Sequence, residues 1–248
     1  MKYHDTHFHL DLMSDPLDVV KQIEKSKVYT IAVTNSPEVF YYTENITKNT
    51  KYIRAALGLH PELVGERYRE IKKFIEIIDK TKYIGEIGLD NSNKSLLDYK
   101  KQKQVFESIV NACAASGDKI ITIHSRKAES DVLEVLGENF PGKIILHWYS
   151  GSLQNLEKAI SRGYYISVNY QMTKSKNGQK IIDCIPNQQI LLESDGPFIS
   201  KGPKIFTPLM VNMILDNLCL LKKSNNEELK STVLQNFYDL VIGENGNS

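Results

Sequence analysis

Short β-branched and aliphatic runs recur along the chain at intervals of roughly 20 to 35 residues, about the length of a strand and its returning helix. After the opening "HDTHFHL" from His4 come "VYTIAVT" from Val28, "YIRAALGLH" from Tyr52, "YIGEIGLD" from Tyr83 and "KIITIHS" from Lys119. "KIILHWY" from Lys143, "YYISVN" from Tyr164 and "ILLESD" from Ile190 complete the series. Between them lie amphipathic segments, with Ile71, Phe74, Ile75 and Ile78 in one and Phe106, Ile109, Val110 and Cys113 in the next, at the spacing of a helix face. Ser36 before Pro37 and Thr207 before Pro208 mark helix starts, and Gly163 a helix end. Near-continuous apolar strands alternating with helices predict a parallel sheet buried on both faces. Repeated in this way, the pattern favours an α/β fold of the TIM type, a (β/α)8 barrel, over an open sheet. A single domain is expected over residues 1–242, with "GENGNS" at 243–248 as a disordered tail.

Composition narrows this picture. At 248 residues, with a formal net charge of +1 and 41% hydrophobic residues, the chain is long enough for one large core. No opening stretch resembles a signal peptide, and no run approaches the ~18 apolar residues of a membrane span, so a soluble cytoplasmic protein is expected. Cys113, Cys184 and Cys219 are widely separated and odd in number, which suits reduced residues better than disulfides. The near-neutral balance argues against a broad basic face for duplex binding.

Polar residues gather where such a barrel places its chemistry, at the carboxyl ends of the strands. Of six histidines, His7, His9, His60, His124 and His147 fall at predicted strand ends, together with Glu86 and Asp195. Only His4 is left over, and nothing is expected of it. Alternation along a strand puts Asp5, His7 and His9 on one face and His4 and Phe8 on the other. Imidazole and carboxylate without thiolate suit two divalent cations: Zn²⁺ or Mn²⁺, or Mg²⁺ where oxygen dominates. His7, His9, Glu86 and Asp195 are expected to hold one, and Glu86, His124 and His147 the other, with Glu86 as the bridge. Asp195 would also take a proton from water, and Asp5 would orient an imidazole from behind. The competing readings are satisfied core histidines, Glu86 as an internal salt-bridge partner and Asp195 as a helix cap.

The motifs "DTHFHL", "GLHPE", "GEIGLD", "IHSRKA", "HWYSGS" and "LLESDGPF" follow one another in the order and spacing of the TatD family of metal-dependent hydrolases, which the chain resembles over nearly its whole length. The resemblance implies a TIM-type barrel and a metal-dependent deoxyribonuclease, commonly a 3′ exonuclease preferring single strands, with DNA as its partner and no membrane. It maps metal ligands onto His7, His9, Glu86, His124, His147 and Asp195, and a substrate contact onto His60. "NSNKS" after "GLD" and "FISKGPKIF" after the eighth strand depart from the family, in loops that would touch substrate. With Trp148 and Tyr149 after the sixth-strand histidine, the chain is also similar to the TatD-like subunit of Qat anti-phage systems, implying co-encoded defence proteins as partners.

Around the predicted mouth, Arg126 belongs to the family motif and is expected to hold phosphate, while Lys127, Lys174, Lys176, Lys180, Lys201 and Lys204 read as solvated. Trp148, Tyr149, Tyr170 and Phe198 are candidates for stacking on unpaired bases or for wall packing. Two other readings stay open: a hydrolase of small amides, esters or phosphoesters, and a subunit whose activity depends on a partner. Related amidohydrolases often carry a carboxylated lysine on the fourth strand, and Glu86 there weighs against the first.

Overall fold

Each apolar run becomes a strand of a closed parallel barrel in the computed structural model, which describes residues 3–92 and 95–242. The strands are β1 (Tyr3–Phe8), β2 (Val28–Ala32), β3 (Ile53–Ala55), β4 (Tyr83–Gly88), β5 (Lys119–His124), β6 (Gly142–His147), β7 (Tyr165–Val168) and β8 (Ile190–Leu192). The helices are α1 (Pro16–Ser26), α2 (Pro37–Thr47), α3 (Val64–Arg67), α4 (Ile71–Ile77), α5 (Leu96–Ser116) and α6 (Glu129–Leu136). They continue with α7 (Leu153–Ser161), α8 (Tyr170–Lys174), α9 (Lys176–Cys184), α10 (Val211–Lys222) and α11 (Asn226–Ile242). After β8 the chain adds a small hairpin, β9 (Ser200–Lys201) and β10 (Lys204–Ile205). The tail at 243–248 lies outside the described residues, none of whose helices is long and apolar enough to cross a membrane.

Two parallel ladders, β1-β2-β3 and β4-β5-β6-β7-β8, are joined at two seams. At the first, Leu57 pairs with Ile84, donating its N–H to the Tyr83 carbonyl and accepting from the Gly85 N–H. At the second, Asp195 donates its N–H to the His7 carbonyl at 2.9 Å and His9 its N–H to the Gly196 carbonyl at 3.0 Å, and side chains of β1 add further bonds. His4 Nε2 accepts the Leu192 N–H at 3.0 Å, Thr6 Oγ1 donates to the Leu192 carbonyl at 3.1 Å, and Asp5 Oδ1 accepts the Ser194 N–H at 3.0 Å. A buried seam cannot leave backbone donors unpaired, so the polar start of the chain closes the barrel. This corrects the reading of His4. Its ring is fully buried and stacks on Phe237 of α11, 4.5 Å between centroids.

Strand period decides what faces the barrel interior. Ile120 shares its face with Thr122 and His124, Ile145 with His147, and Leu191 with Glu193 and Asp195. Ile120, Ile145 and Leu191 pack with Ile31, Tyr83 and Phe237 into an apolar cluster beneath the polar mouth. The larger cluster lies between strands and helices and takes in Phe74, Phe106, Ile109, Val110 and Cys113. Ile75 is an exception: it is exposed, and Ile77 is buried in its place, because the helix face runs through Phe74, Ile77 and Ile78. Ser36 Oγ caps α2 by accepting the Val39 N–H, whereas the Thr207 hydroxyl makes no capping bond and precedes a short 3-10 turn before α10. Gly163 ends α7 at φ +75°. Cys113 and Cys219 are buried and Cys184 is exposed, all as free thiols.

Candidate metal centre

The mouth is organised around one carboxylate. Glu86 Oε2 lies 3.4 Å from both His7 Nε2 and His9 Nε2. Its other oxygen, Oε1, lies 2.8 Å from His124 Nδ1, 3.3 Å from His147 Nε2 and 3.5 Å from His60 Nε2. Asp195 Oδ1 completes the first flank, 3.9 Å from His7 Nε2 and 3.6 Å from His9 Nε2. All the sequence-predicted site residues except Arg126 are therefore within one or two contacts of Glu86, and Arg126 lines the same cavity, of about 590 Å³, with Trp148 and Phe198.

Backbone features fix these positions. Glu86 donates its N–H to the Thr34 carbonyl at 3.0 Å, while Gly58 passes alongside. A Cβ on Gly58 would lie 1.6 Å from that carbonyl oxygen and 2.6 Å from the Glu86 nitrogen, so only glycine admits this approach. Asp195 and Trp148 follow their strands at φ +48° and +38°. Strained backbone of this kind at non-glycine residues is held by surrounding structure and clusters at functional sites.

What stands behind each imidazole differs. His7 Nδ1 is bonded to Thr122 Oγ1 at 2.9 Å. His124, at the end of β5 rather than beyond it, donates Nδ1–H to Glu86 and Nε2–H to Asp90 Oδ2, the latter at 2.7 Å. His147 Nδ1 lies 3.3 Å from Glu193 Oε1. Glu193 is fully buried and also accepts from the Trp148 N–H, Asn169 Nδ2 and the Ser167 hydroxyl. Sequence reasoning missed Glu193, Asp90 and Thr122. The strand period held the signal, since Glu193 shares a face with Asp195, Asp90 with Glu86, and Thr122 with His124.

His60 lies well past the end of β3 rather than at it, and its Nδ1 accepts the Glu62 N–H at 3.2 Å. With Nδ1 accepting, the N–H of the ring is at Nε2, 3.5 Å from Glu86 Oε1, which suits a hydrogen-bond donor at the cavity wall. Asp5 differs from expectation too. Its Oδ1 accepts the backbone N–H groups of His7 and Ser194, so it orients strands, not an imidazole.

Burial and neighbours set the charges. Burial holds His7 down to about 4 and His9 well below the usual imidazole range. Burial also disfavours charge on Glu86, but the imidazoles of His60 and His7 and the hydrogen bonds from His124 and His147 outweigh it and keep the carboxyl well below its usual range. His124, despite its burial, is raised to about 9 by its bonds to Asp90 and Glu86. Burial pushes Asp195 well above the carboxylate range, against the pull of His147.

The residues fit divalent cations. His7 Nε2 is buried with no hydrogen-bond partner among the described residues and faces two carboxylates. Its 3.4–3.9 Å separations from those oxygens compare with the ~3.3–3.6 Å between ligands of a tetrahedral ion at ~2.0–2.2 Å. Donor atoms within 4.8 Å of one another form three groups among the described residues: His7, His9 and Asp195; His7, His147 and Glu193; His60, Glu86 and His124.

Most of the rim lysines expected to be solvated, and two of the aromatic candidates, have other neighbours than the metal centre. Lys176 and Lys180 line a separate surface hollow with Gln179 and Asp183. Lys174 and Lys201 lie over the Tyr170 ring, itself stacked on Phe206, and Tyr149 is buried with its hydroxyl donated to the Ser152 carbonyl.

A parallel barrel whose mouth gathers imidazoles and carboxylates about a shared glutamate defines a metal-dependent hydrolase. The chain belongs to the TatD related DNase family, whose model matches residues 4–241. YabD of Bacillus subtilis, named an uncharacterized metal-dependent hydrolase, is 30% identical over 249 residues, covering 94% of this chain and 96% of YabD. Deoxyribonuclease Tat-D of Schizosaccharomyces pombe is 26% identical over 219 residues, 81% of this chain and 69% of the relative. The crystal structure of YjjV, a TatD homolog from Escherichia coli K12, superposes with a TM-score of 0.85 at 24% identity, over 96% of this chain and 97% of YjjV. That likeness confirms the barrel.

Proposed function

We propose that the protein is a 3′ exodeoxyribonuclease acting on single-stranded DNA with two divalent cations. The carrying observation is Glu86, whose two carboxylate oxygens face separate sets of imidazoles, His7 and His9 on one side and His124 and His147 on the other. The deoxyribonuclease name of the fission-yeast relative supports DNA as the substrate class. His7, His9, Glu86 and Asp195 would hold one cation, and Glu86, His124 and His147 the second. Such a pair supplies Lewis acidity and a nucleophile from water at neutral pH.

The chain's own residues do the rest. Asp195 takes the proton of the attacking water at its carboxylate, a role suited to a carboxyl that burial biases toward the protonated form. His60 donates Nε2–H to a phosphate oxygen, and Arg126 binds the neighbouring phosphate at the cavity edge. Glu193 and Asp90 hold His147 and His124 in place. The residues 1–242 act as one hydrolase unit in this reading, and the anti-phage alternative gains no support from the relatives or the fold.

Chelator-stripped protein titrated with Mg²⁺, Mn²⁺ and Zn²⁺ against end-labelled single- and double-stranded DNA tests the proposal. Stepwise shortening of the single strand from its 3′ end is expected. Absence of metal-dependent cleavage of any DNA would overturn it.

A further inference from the structure

The two large aromatic rings that line the metal cavity, Phe198 and Trp148, are held in different ways. Trp148 is tied into the centre through its backbone, whose N–H is donated to the carboxylate that positions His147. Phe198 is 62% exposed, yet it stands edge-on to the His9 ring, 5.0 Å between centroids at 89°. Other large apolar side chains are as exposed, and what sets Phe198 apart is its place on the cavity wall against the His9 ring.

Nor is its loop slack. Phe198 donates its N–H to the Asp195 carbonyl at 2.9 Å, one turn from a proposed ligand. The next residue, Ile199, is buried and accepts the Phe206 N–H at 2.8 Å. A Cβ on Gly196 would come within 1.9 Å of the Phe206 carbonyl oxygen, so the loop is packed against itself through Phe206, whose ring stacks on Tyr170. The backbone that carries the ring is thus held in place, and the ring presents an apolar face beside the centre.

We propose that Phe198 is the stacking platform for the base of the terminal nucleotide, so that the site selects an unpaired 3′ end that bears a base. This rests on the reading of the chain as a nuclease. A base paired and stacked within a duplex offers no free face, whereas an unpaired base can lie on the phenyl while its phosphate meets His60 and Arg126, which line the same cavity. Stacking of this kind is tolerant of sequence, because every base has a π-face.

The test compares two single strands that differ only in their 3′-terminal residue, one with a base and one abasic, by kcat/KM with saturating Mn²⁺. Both are read on the same protein, so any general loss of metal or activity cancels in the ratio. The unaltered protein is expected to prefer the base-bearing end by about 5- to 150-fold, the equivalent of ~1–3 kcal/mol of stacking. Phe198→Ala should bring the ratio close to one, and Phe198→Trp should keep it. A ratio near one in the unaltered protein, or one unchanged in Phe198→Ala, overturns the proposal while leaving the nuclease reading intact. If neither strand is cut, the nuclease reading falls and takes this proposal with it.

Discussion

β1 carries two kinds of buried histidine, one at the base of the barrel and one at its mouth. His4 and His7 are both fully buried, and burial holds both rings far below the usual imidazole pKa, His4 at about 3 and His7 at about 4. By burial and charge they look alike. Each also has one buried nitrogen without a hydrogen-bond partner among the described residues, and the surroundings separate them: His4 Nε2 accepts the Leu192 N–H and its ring is covered by Phe237, whereas the unpartnered His7 Nε2 faces Glu86 and Asp195. A depressed histidine pKa therefore does not mark a ligand. The acidic neighbours of His7 are what support its proposed role.

The largest break between the two regions should come at Glu86. Glu86→Gln keeps the shape of the side chain and removes the charge that His7, His9, His124 and His147 share. Turnover is expected to fall by roughly 10³-fold or more. A variant with full turnover and two bound cations would refute the bridge.

The base should behave in the opposite way. His4→Ala leaves the Leu192 N–H unpaired in the seam and strips a stacked ring from Phe237. A loss of about 2–4 kcal/mol of stability is expected from denaturant titration, with metal affinity changed less than twofold. Should His4→Ala instead lose its metal and keep its stability, base and mouth would have been assigned the wrong way round.

How much of this was legible follows the same division. The eight strands and the convergence of His7, His9, Glu86, His124, His147 and Asp195 could be read because a parallel barrel repeats one period and directs strand ends to one mouth. Glu193, Asp90 and Thr122 escaped because they act through a histidine from a different strand, a relation that only the closed sheet creates. For His4 the face was right and the consequence wrong. Its partners, Leu192 and Phe237, come from the far end of the chain, and a lone histidine carries no local sign of a seam to close. Asp5 lay on the expected face, but at a depth where the groups within reach are the backbone N–H of His7 and of Ser194.

Glu193→Gln sharpens the contrast within the mouth. It leaves a side chain able to accept from the Trp148 N–H and Asn169 but removes the carboxylate from behind His147. Affinity for the cation held by His147 should weaken by about 10- to 100-fold, the usual cost of losing such a partner. The cation on the His7 side should stay bound, so metal analysis after dialysis would give one ion per chain where the unaltered protein gives two. Equal loss of both would show that the flanks are not independent.

The smallest effect is the dependence of stability on acid. His4 has an ordinary pKa of 6.5 and is lowered to about 3 in the fold, because burial disfavours the imidazolium. Between those values the unfolded chain binds a proton at His4 and the folded chain does not. Falling pH therefore favours unfolding, by up to ~1.4 kcal/mol per unit from this group. His124, raised to about 9, works with the opposite sign: its contribution is present in full below 6.5 and is lost as pH rises through 9. Other groups titrate in the same windows, so the measurement is a difference, the stability of the unaltered protein minus that of His4→Leu at each pH. The missing hydrogen bond to Leu192 offsets the two curves by an amount that does not depend on pH, so above pH 7 the difference should be flat. Below 6.5 it should turn against the unaltered protein as acid is added, and the same subtraction with His124→Gln should be flat in acid and turn only on the alkaline side. If the His4 difference stayed flat throughout, the ring would be protonated as easily in the fold as outside it, and its place as an acceptor in the closing seam would have to be given up.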